Sequence, residues 1–167
     1  MKHITFDIET TGLKAWFGDI VTCICAKDSE GKKFEKYIKY KEEETKMLLD
    51  FMDWVSERKD YTLISKNGKG FDVPFIMTRL ALALDIYEGH YVLLERPHID
   101  IQEITKRWIS LDDMATILGC GLKSGNGLSA ILLWKDQNYI ELVNYCARDV
   151  EVTEQVYFKL KEVGALN

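Results

Sequence analysis

Three short strands open the chain, and the strand after them is reached only through a helix, which restricts the fold more than any other feature. Residues 2–9 and 34–40 alternate between apolar and polar positions, residues 19–26 are rich in β-branched side chains, and residues 29–32 have the composition of a turn. Strands joined this tightly are typical of an antiparallel meander.

The hydrophobic period changes after the third strand. Residues 42–58 carry their apolar side chains at helical spacing, and the apolar run 61–65 predicts a fourth strand. A strand reached through a helix most naturally lies parallel to a neighbouring strand. A second helix is predicted from Asp72 to about residue 84, followed by a short fifth strand at 99–101.

The remaining residues are predicted to be mainly helical. A capping-box pattern at 110–113 opens a helix that runs to residue 118, and a glycine-rich loop follows at 119–127. From residue 128 the chain is predicted to be helical to about residue 163, with a break near 135–138. These elements predict an α/β fold in which helices flank a mixed five-stranded sheet, with the first three strands antiparallel and the fourth and fifth parallel.

Composition favours one globular domain that spans residues 1–167. The chain is 47% hydrophobic with only 2 prolines, so a sizeable core is expected and no segment has the composition of a linker. No signal-peptide pattern precedes the first strand, which favours an intracellular, cytoplasmic location. The cysteines (Cys23, Cys25, Cys120 and Cys146) lack a C-x-x-C spacing, so we expect buried thiols and no zinc site. The formal net charge of −5 argues against binding nucleic acid mainly through a basic surface.

Two carboxylates stand two residues apart at the end of the first predicted strand. Positions i and i+2 of a strand point to the same side, so Asp7 and Glu9 share one face of the sheet. The other face carries the apolar side chains Ile4, Phe6 and Ile8. Like charges at this spacing are costly unless a cation compensates them, and oxygen ligands suit Mg²⁺ or Mn²⁺. A solvated strand end explains the pair equally well, so both alternatives stay open at this point.

Two later segments carry further acidic candidates. Asp72 follows the fourth strand and a glycine-containing loop, where open α/β sheets commonly build sites, although a helix N-cap would also explain it. Tyr145 and Asp149 lie four residues apart on the last helix and therefore share one face. We draw the core stripe of that helix beside this pair, so a surface tyrosine and aspartate are the plain alternative. The stripe runs through Leu142, Cys146, Thr153, Val156 and Leu160.

Taken in order, three motifs resemble those of the DEDD 3′–5′ exonucleases of the ribonuclease H-like superfamily, in the tyrosine subclass. They are Asp-x-Glu on the first strand, Asn-x-x-x-Phe-Asp at 67–72, and Tyr-x-x-x-Asp on the last helix. The middle motif is most similar to the proofreading exonuclease domain of family-B DNA polymerases. The C-terminal stretch is similar to stand-alone exonucleases of the same superfamily. The resemblance spans almost the whole chain, and it implies a ribonuclease H-like fold and a stand-alone exonuclease domain.

The resemblance implies a two-metal site. Its catalytic residues would be Asp7, Glu9, Asp72, Tyr145 and Asp149. The four carboxylates would hold two Mg²⁺ or Mn²⁺ ions roughly 3.5–4 Å apart, with Asp7 shared between them. Tyr145 would orient the attacking water, and because a phenol keeps its proton at neutral pH, ionisation of that water falls to the metals.

The resemblance also implies contacts with the substrate strand. The candidate positions are Thr10, Leu13, Asn67, Phe71 and Lys69. Leu13 matches the position at which the family wedges an apolar side chain between the last two bases, although a loop residue folded onto the core fits equally well. For Phe71 we favour packing under its loop. Lys66 and Lys123 also fall on loops near the site, where they would contact phosphates or remain solvated.

The leading hypothesis is a metal-dependent 3′–5′ exonuclease that releases nucleoside 5′-monophosphates from single-stranded or frayed DNA ends. An exoribonuclease that trims RNA 3′ ends would use the same residues. A catalytically silent scaffold or nucleic-acid-binding module is the non-enzymatic alternative. The expected partners are nucleic-acid 3′ ends, together with a polymerase, a helicase or another repair or replication factor. No membrane partner is expected.

Overall fold

The computed structural model describes residues 1–84, 91–105, 107–121 and 127–166, and its centre is a mixed five-stranded sheet. The strands are β1 (His3–Thr10), β2 (Val21–Asp28), β3 (Lys33–Tyr37), β4 (Thr62–Ser65) and β5 (His98–Asp100). They lie in the order β3-β2-β1-β4-β5. The first three strands pair antiparallel, whereas β4 runs parallel to β1 and β5 runs parallel to β4. The predicted sheet is therefore confirmed.

Helices cover both faces of this sheet. They are α1 (Glu44–Ser56), α2 (Asp72–Ala83), α3 (Tyr91–Leu94), α4 (Leu111–Leu118), α5 (Gly127–Lys135) and α6 (Tyr139–Glu162). Short 3-10 turns occur at Ala15–Phe17, Lys41–Glu43 and Ile101–Ile104. Only α3 was not predicted among these α-helices, because its four residues are too few to show a helical period. No described helix combines the length and the apolar character needed to cross a bilayer.

The larger core fills the face of the sheet that packs on α1 and α2. Its strand residues include Ile4, Phe6 and Ile8 from β1, and all three are buried. Because strand side chains alternate, the intervening positions of β1 point to the opposite face. That face packs on α6, whose buried residues form two smaller clusters, one with α4 and β4 and one with β2 and α5.

The buried face of α6 is wider than the predicted stripe. Tyr145 and Asp149 are 4% and 5% exposed, so they are not surface residues. They face the sheet together with Cys146, whereas Leu160, which we placed in the stripe, is only partly buried. The predicted Lys123, with most of the glycine-rich loop, lies outside the described residues.

Candidate active site

The site begins where β1 extends past its parallel neighbour. The ladder between β1 and β4 covers only His3 to Thr5, so the later residues of β1 are open on that side. The backbone N–H of Ile8 donates a hydrogen bond to Asp72 Oδ1 at 3.1 Å. The first residue of α2 is thereby fixed beside the strand segment that carries Asp7 and Glu9. Asp72 is not the N-cap residue of α2, which is Phe71.

The other edge of β1 becomes irregular at the same point. The pairing with β2 shifts register between Glu9 and Thr10, and such irregularities re-aim side chains at the ends of strands. Thr22 Oγ1 donates to the main-chain oxygen of Glu9 at 3.1 Å, which anchors the strand there.

All five residues of the predicted catalytic set line one cavity of about 410 Å³. They are Asp7, Glu9, Asp72, Tyr145 and Asp149. They come from β1, from the start of α2 and from α6, so three elements that are distant in sequence bring them together. The cavity is also lined by residues of two loops and of the start of α4: Lys66, Asn67, Phe71, Trp108, Ser110, Leu111 and Asp112.

The carboxyl group of Asp72 is buried, with 4% of the residue exposed. Burial raises the pKa of Asp72 to about 7, and the negative charge of Asp100 adds to the shift. The N–H of Ile8 and the Lys66 ammonium act in the opposite direction. A carboxylate held in such a place is ionised most readily when a cation lies next to it.

The loop after β4 is held by Asp100, at the end of β5. Asp100 accepts hydrogen bonds from the backbone N–H of Asn67 at 2.6 Å and of Lys69 at 2.9 Å. Asn67 has a φ of 65°, a conformation that asparagine tolerates better than most residues. A Cβ on Gly68 would lie 2.4 Å from Ser65 Oγ, so the tight turn requires glycine there. Sequence reasoning gave no role to Asp100, because its contacts depend on the pairing of β4 with β5.

Three of the predicted substrate residues, Thr10, Leu13 and Phe71, line an adjoining cavity of about 300 Å³ together with Leu128. Leu13 is 81% exposed, so the alternative that it folds onto the core is wrong. Phe71 lines both cavities and also packs on Phe75, with ring centroids 5.4 Å apart. The packing on Phe75 agrees with the favoured role of Phe71, and its contact with the substrate strand stays a prediction.

Lys69 is the predicted substrate residue that does not line these two cavities. Its ammonium lies 2.7 Å from Glu103 Oε2, which directs it along the surface to the turn after β5. Sequence reasoning favoured the core or its rim for Trp108 and gave it no substrate role, whereas the residue is 68% exposed at the cavity edge. Lys66 Nζ lies 3.7 Å from the centre of its ring. Nothing in the local sequence distinguishes Trp108 from a core tryptophan.

The donor set fits hard divalent cations. Five carboxylates line this cavity, those of the four predicted ligands and that of Asp112, and carboxylate oxygens are the ligands that Mg²⁺ and Mn²⁺ prefer. The ligand atoms of Asp7 and Glu9 lie within 4.8 Å of each other and of the Cys146 sulfur. Cys146 is the one soft donor in this group.

Comparison with known proteins gives a family and a fold. The sequence matches the family model of the RNase H superfamily over residues 4–161, whereas no curated protein sequence matches it. The structure is similar to the family B DNA polymerase from the hyperthermophilic archaeon Pyrobaculum calidifontis, with a TM-score of 0.77 and 20% identity. The match covers 96% of this chain and 24% of the polymerase chain. At this identity the likeness concerns the fold alone.

Proposed function

The chain belongs to the RNase H superfamily, and from that premise we propose that it is a metal-dependent 3′–5′ exonuclease acting on single-stranded or frayed DNA ends. The observation that carries the proposal is the convergence of Asp7, Glu9, Asp72, Tyr145 and Asp149 on one cavity. If these residues had only a structural role, there would be no reason for four carboxylates to line the same cavity. Buried like charges are costly, and divalent cations bound among these carboxylates would offset that cost.

The four carboxylates would hold two divalent cations, Mg²⁺ or Mn²⁺. When bound, these cations supply an activated water and charge stabilisation for an in-line displacement at phosphorus. The strand period brings Asp7 and Glu9 to one face of β1, and Asp149 lies on the buried face of α6, which supports this assignment. Asp72 is held by the N–H of Ile8, which keeps its carboxyl group at the cavity.

Tyr145 would hydrogen-bond the attacking water and fix its orientation. It comes from the same helix face as Asp149, four residues earlier, so the two side chains keep a fixed relation to each other. Tyr145 is 4% exposed, which limits the positions that its hydroxyl can take. A rigid donor that needs no reorganisation during the reaction is the arrangement that accelerates hydrolysis most.

The last nucleotides of the strand would lie across the adjoining cavity. Leu13 is exposed there and faces Phe71, so a terminal base can be gripped between two apolar side chains. Asn67 lines the cavity of the carboxylates and Thr10 lines the adjoining cavity, so both would offer polar groups to the strand. Lys66, stacked on the Trp108 ring, supplies positive charge for a phosphate.

The test is digestion of 5′-labelled DNA and RNA oligonucleotides of the same sequence, with Mg²⁺, with Mn²⁺ and with a chelator. We expect a one-nucleotide ladder that shortens from the 3′ end of DNA and is abolished by the chelator and by Asp7→Ala. Asp112→Asn is the matched control, because it removes a carboxylate of the same cavity that lies outside the proposed ligand set.

Full activity of Asp7→Ala, or full activity without metal, would overturn the mechanism. If the ladder appears with RNA and not with DNA, the exoribonuclease alternative would be correct and the DNA substrate would be wrong. A protein that binds the oligonucleotides but leaves them intact under all conditions would support the non-enzymatic alternative.

A further inference from the structure

Three buried thiols converge beside the carboxylates, on the face of the sheet that packs on α6. Cys23 and Cys25 alternate on β2 and lie opposite Glu9 and Asp7 in the ladder. Their sulfurs are 3.9 Å apart, and Cys146 of α6 joins them, so the three sulfurs lie within 4.8 Å of one another. The spacing of the cysteines in the sequence does not predict this cluster. Two of them lie on one strand, and the third comes from a helix that is distant in sequence.

Cys146 is the thiol that reaches the active-site carboxylates. Its sulfur donates to the main-chain oxygen of Asp7 at 3.4 Å and lies 3.9 Å from Asp7 Oδ2. The ligand atoms of Asp7, Glu9 and Cys146 all fall within 4.8 Å of one another, which is close enough for one ion to contact all three. Asp7 lines the cavity and is only partly buried, so an ion from solvent can reach this group.

A thiol changes which metals this group can bind. Mg²⁺ and Mn²⁺ prefer oxygen donors and gain little from sulfur, whereas zinc-like ions bind thiolate strongly and accept carboxylate as a further ligand. We propose that Asp7, Glu9 and Cys146 form an inhibitory site for a thiophilic divalent cation such as Zn²⁺ or Cd²⁺, mutually exclusive with the hydrolytic metals. This inference rests on the proposed function, because the inhibited centre is the one assigned above.

The binding step exchanges one proton for one metal–sulfur bond. The Cys146 thiol releases its proton to solvent as the ion binds, and no oxidation state changes. Asp7 and Glu9 would bind this ion together with the Cys146 sulfur, whose distance to both carboxylates already permits it. The same two carboxylates then cannot serve Mg²⁺, so inhibition and activation compete for them.

The direct test is titration of the metal-free protein with Cd²⁺, followed by the ultraviolet charge-transfer absorption of the thiolate–cadmium bond. We expect a saturable band that is lost in Cys146→Ala and kept in the matched controls Cys25→Ala and Cys120→Ala. Asp7→Asn keeps every thiol and should still weaken Cd²⁺ binding by about tenfold or more. This second variant tests the site even if the Cys146 variant is poorly folded.

Inhibition supplies a second measurement. Zn²⁺ should slow nucleotide release, excess Mg²⁺ should relieve the effect, and Cys146→Ala should need about tenfold more Zn²⁺ for the same inhibition. Persistence of the cadmium band in Cys146→Ala, or its loss in Cys25→Ala, overturns the proposed ligand set. Absence of nucleotide release with a normal cadmium band would instead refute the exonuclease and leave the metal site standing.

Discussion

The two faces of β1 show how neighbouring residues of one strand can serve different purposes. Toward α1 and α2 the strand presents Ile4, Phe6 and Ile8, which pack into the largest apolar cluster. Toward α6 it presents Asp7 and Glu9, which line the cavity. Burial of the first set stabilises the fold, whereas burial of the second set costs free energy that a bound cation would offset. Substitutions one position apart should therefore separate stability from activity.

The largest effect is expected on the carboxylate face. Glu9→Gln keeps the size of the side chain and removes its charge, so nucleotide release should slow by about 10³-fold or more. The free energy of unfolding in urea should stay within about 1 kcal/mol of the wild-type value. A variant that loses stability in proportion to its activity would show that the two faces are not independent.

Phe6→Ala is the matching change on the apolar face. Phe6 is 1% exposed, with its ring centroid 6.0 Å from that of Phe51, so truncation should leave a cavity in the core. We expect a loss of about 3–5 kcal/mol in the free energy of unfolding, measured by urea denaturation. Phe6→Leu should lose less. At low temperature, where the variant stays folded, its activity per folded molecule should be close to wild type, and inactive folded protein would contradict the comparison.

Tyr145→Phe sharpens the comparison on α6 by removing one oxygen atom. The rate of hydrolysis should fall by about 10²-fold, whereas the affinity for an oligonucleotide in the absence of metal should be unchanged. Tyr157→Phe is the matched control, because Tyr157 is also buried on α6 but packs in the cluster with α4. If the two substitutions have equal effects on the rate of hydrolysis, the proposed role of Tyr145 in orienting the water would be wrong.

The smallest effect should be the one that Asp72→Asn has on stability, which appears as a pH dependence and is separate from the loss of activity expected for a proposed metal ligand. Because burial raises the pKa of Asp72 from 3.8 to about 7, the neutral form stabilises the fold fully below pH 3.8, and this stabilisation is lost as the pH rises through 7. In chelator at pH 8, the variant should be more stable than wild type by on the order of 1–2 kcal/mol. At pH 4 the difference should vanish. Urea denaturation at the two pH values measures it, and Mg²⁺ should stabilise wild type more than the variant.

The sheet could be predicted from the sequence because the pattern of apolar and β-branched residues within each segment indicates a strand. The boundaries were less exact: β3 ends at Tyr37, although alternation continues to residue 40, and residues 41–43 form a 3-10 turn before α1. The convergence of Asp7, Asp72 and Asp149 followed from motif order. Their roles as metal ligands remain a prediction that only binding or activity measurements can test.

What escaped prediction depends on contacts between distant segments. Trp108 lines the cavity because the turn after β5 leads there, and Lys69 points away because Glu103 binds its ammonium. The burial of Tyr145 and Asp149 was missed because polar side chains facing a sheet break the apolar pattern by which a core stripe is recognised. Cys146 was interpreted as an ordinary buried thiol, because nothing in the sequence around it indicates that it contacts Asp7.

The central position of β1 has a consequence for refolding. The contacts of β1 with β2 and of β2 with β3 join strands that are neighbours in sequence, so they close short loops. The contact of β1 with α6 joins elements that are separated by most of the chain. Long-range contacts of this kind form late. Asp149 therefore reaches Asp7 only when the last helix docks. In a refolding experiment, hydrolytic activity should return later than the circular dichroism signal of the sheet. The time at which activity returns would then report when the last helix docks.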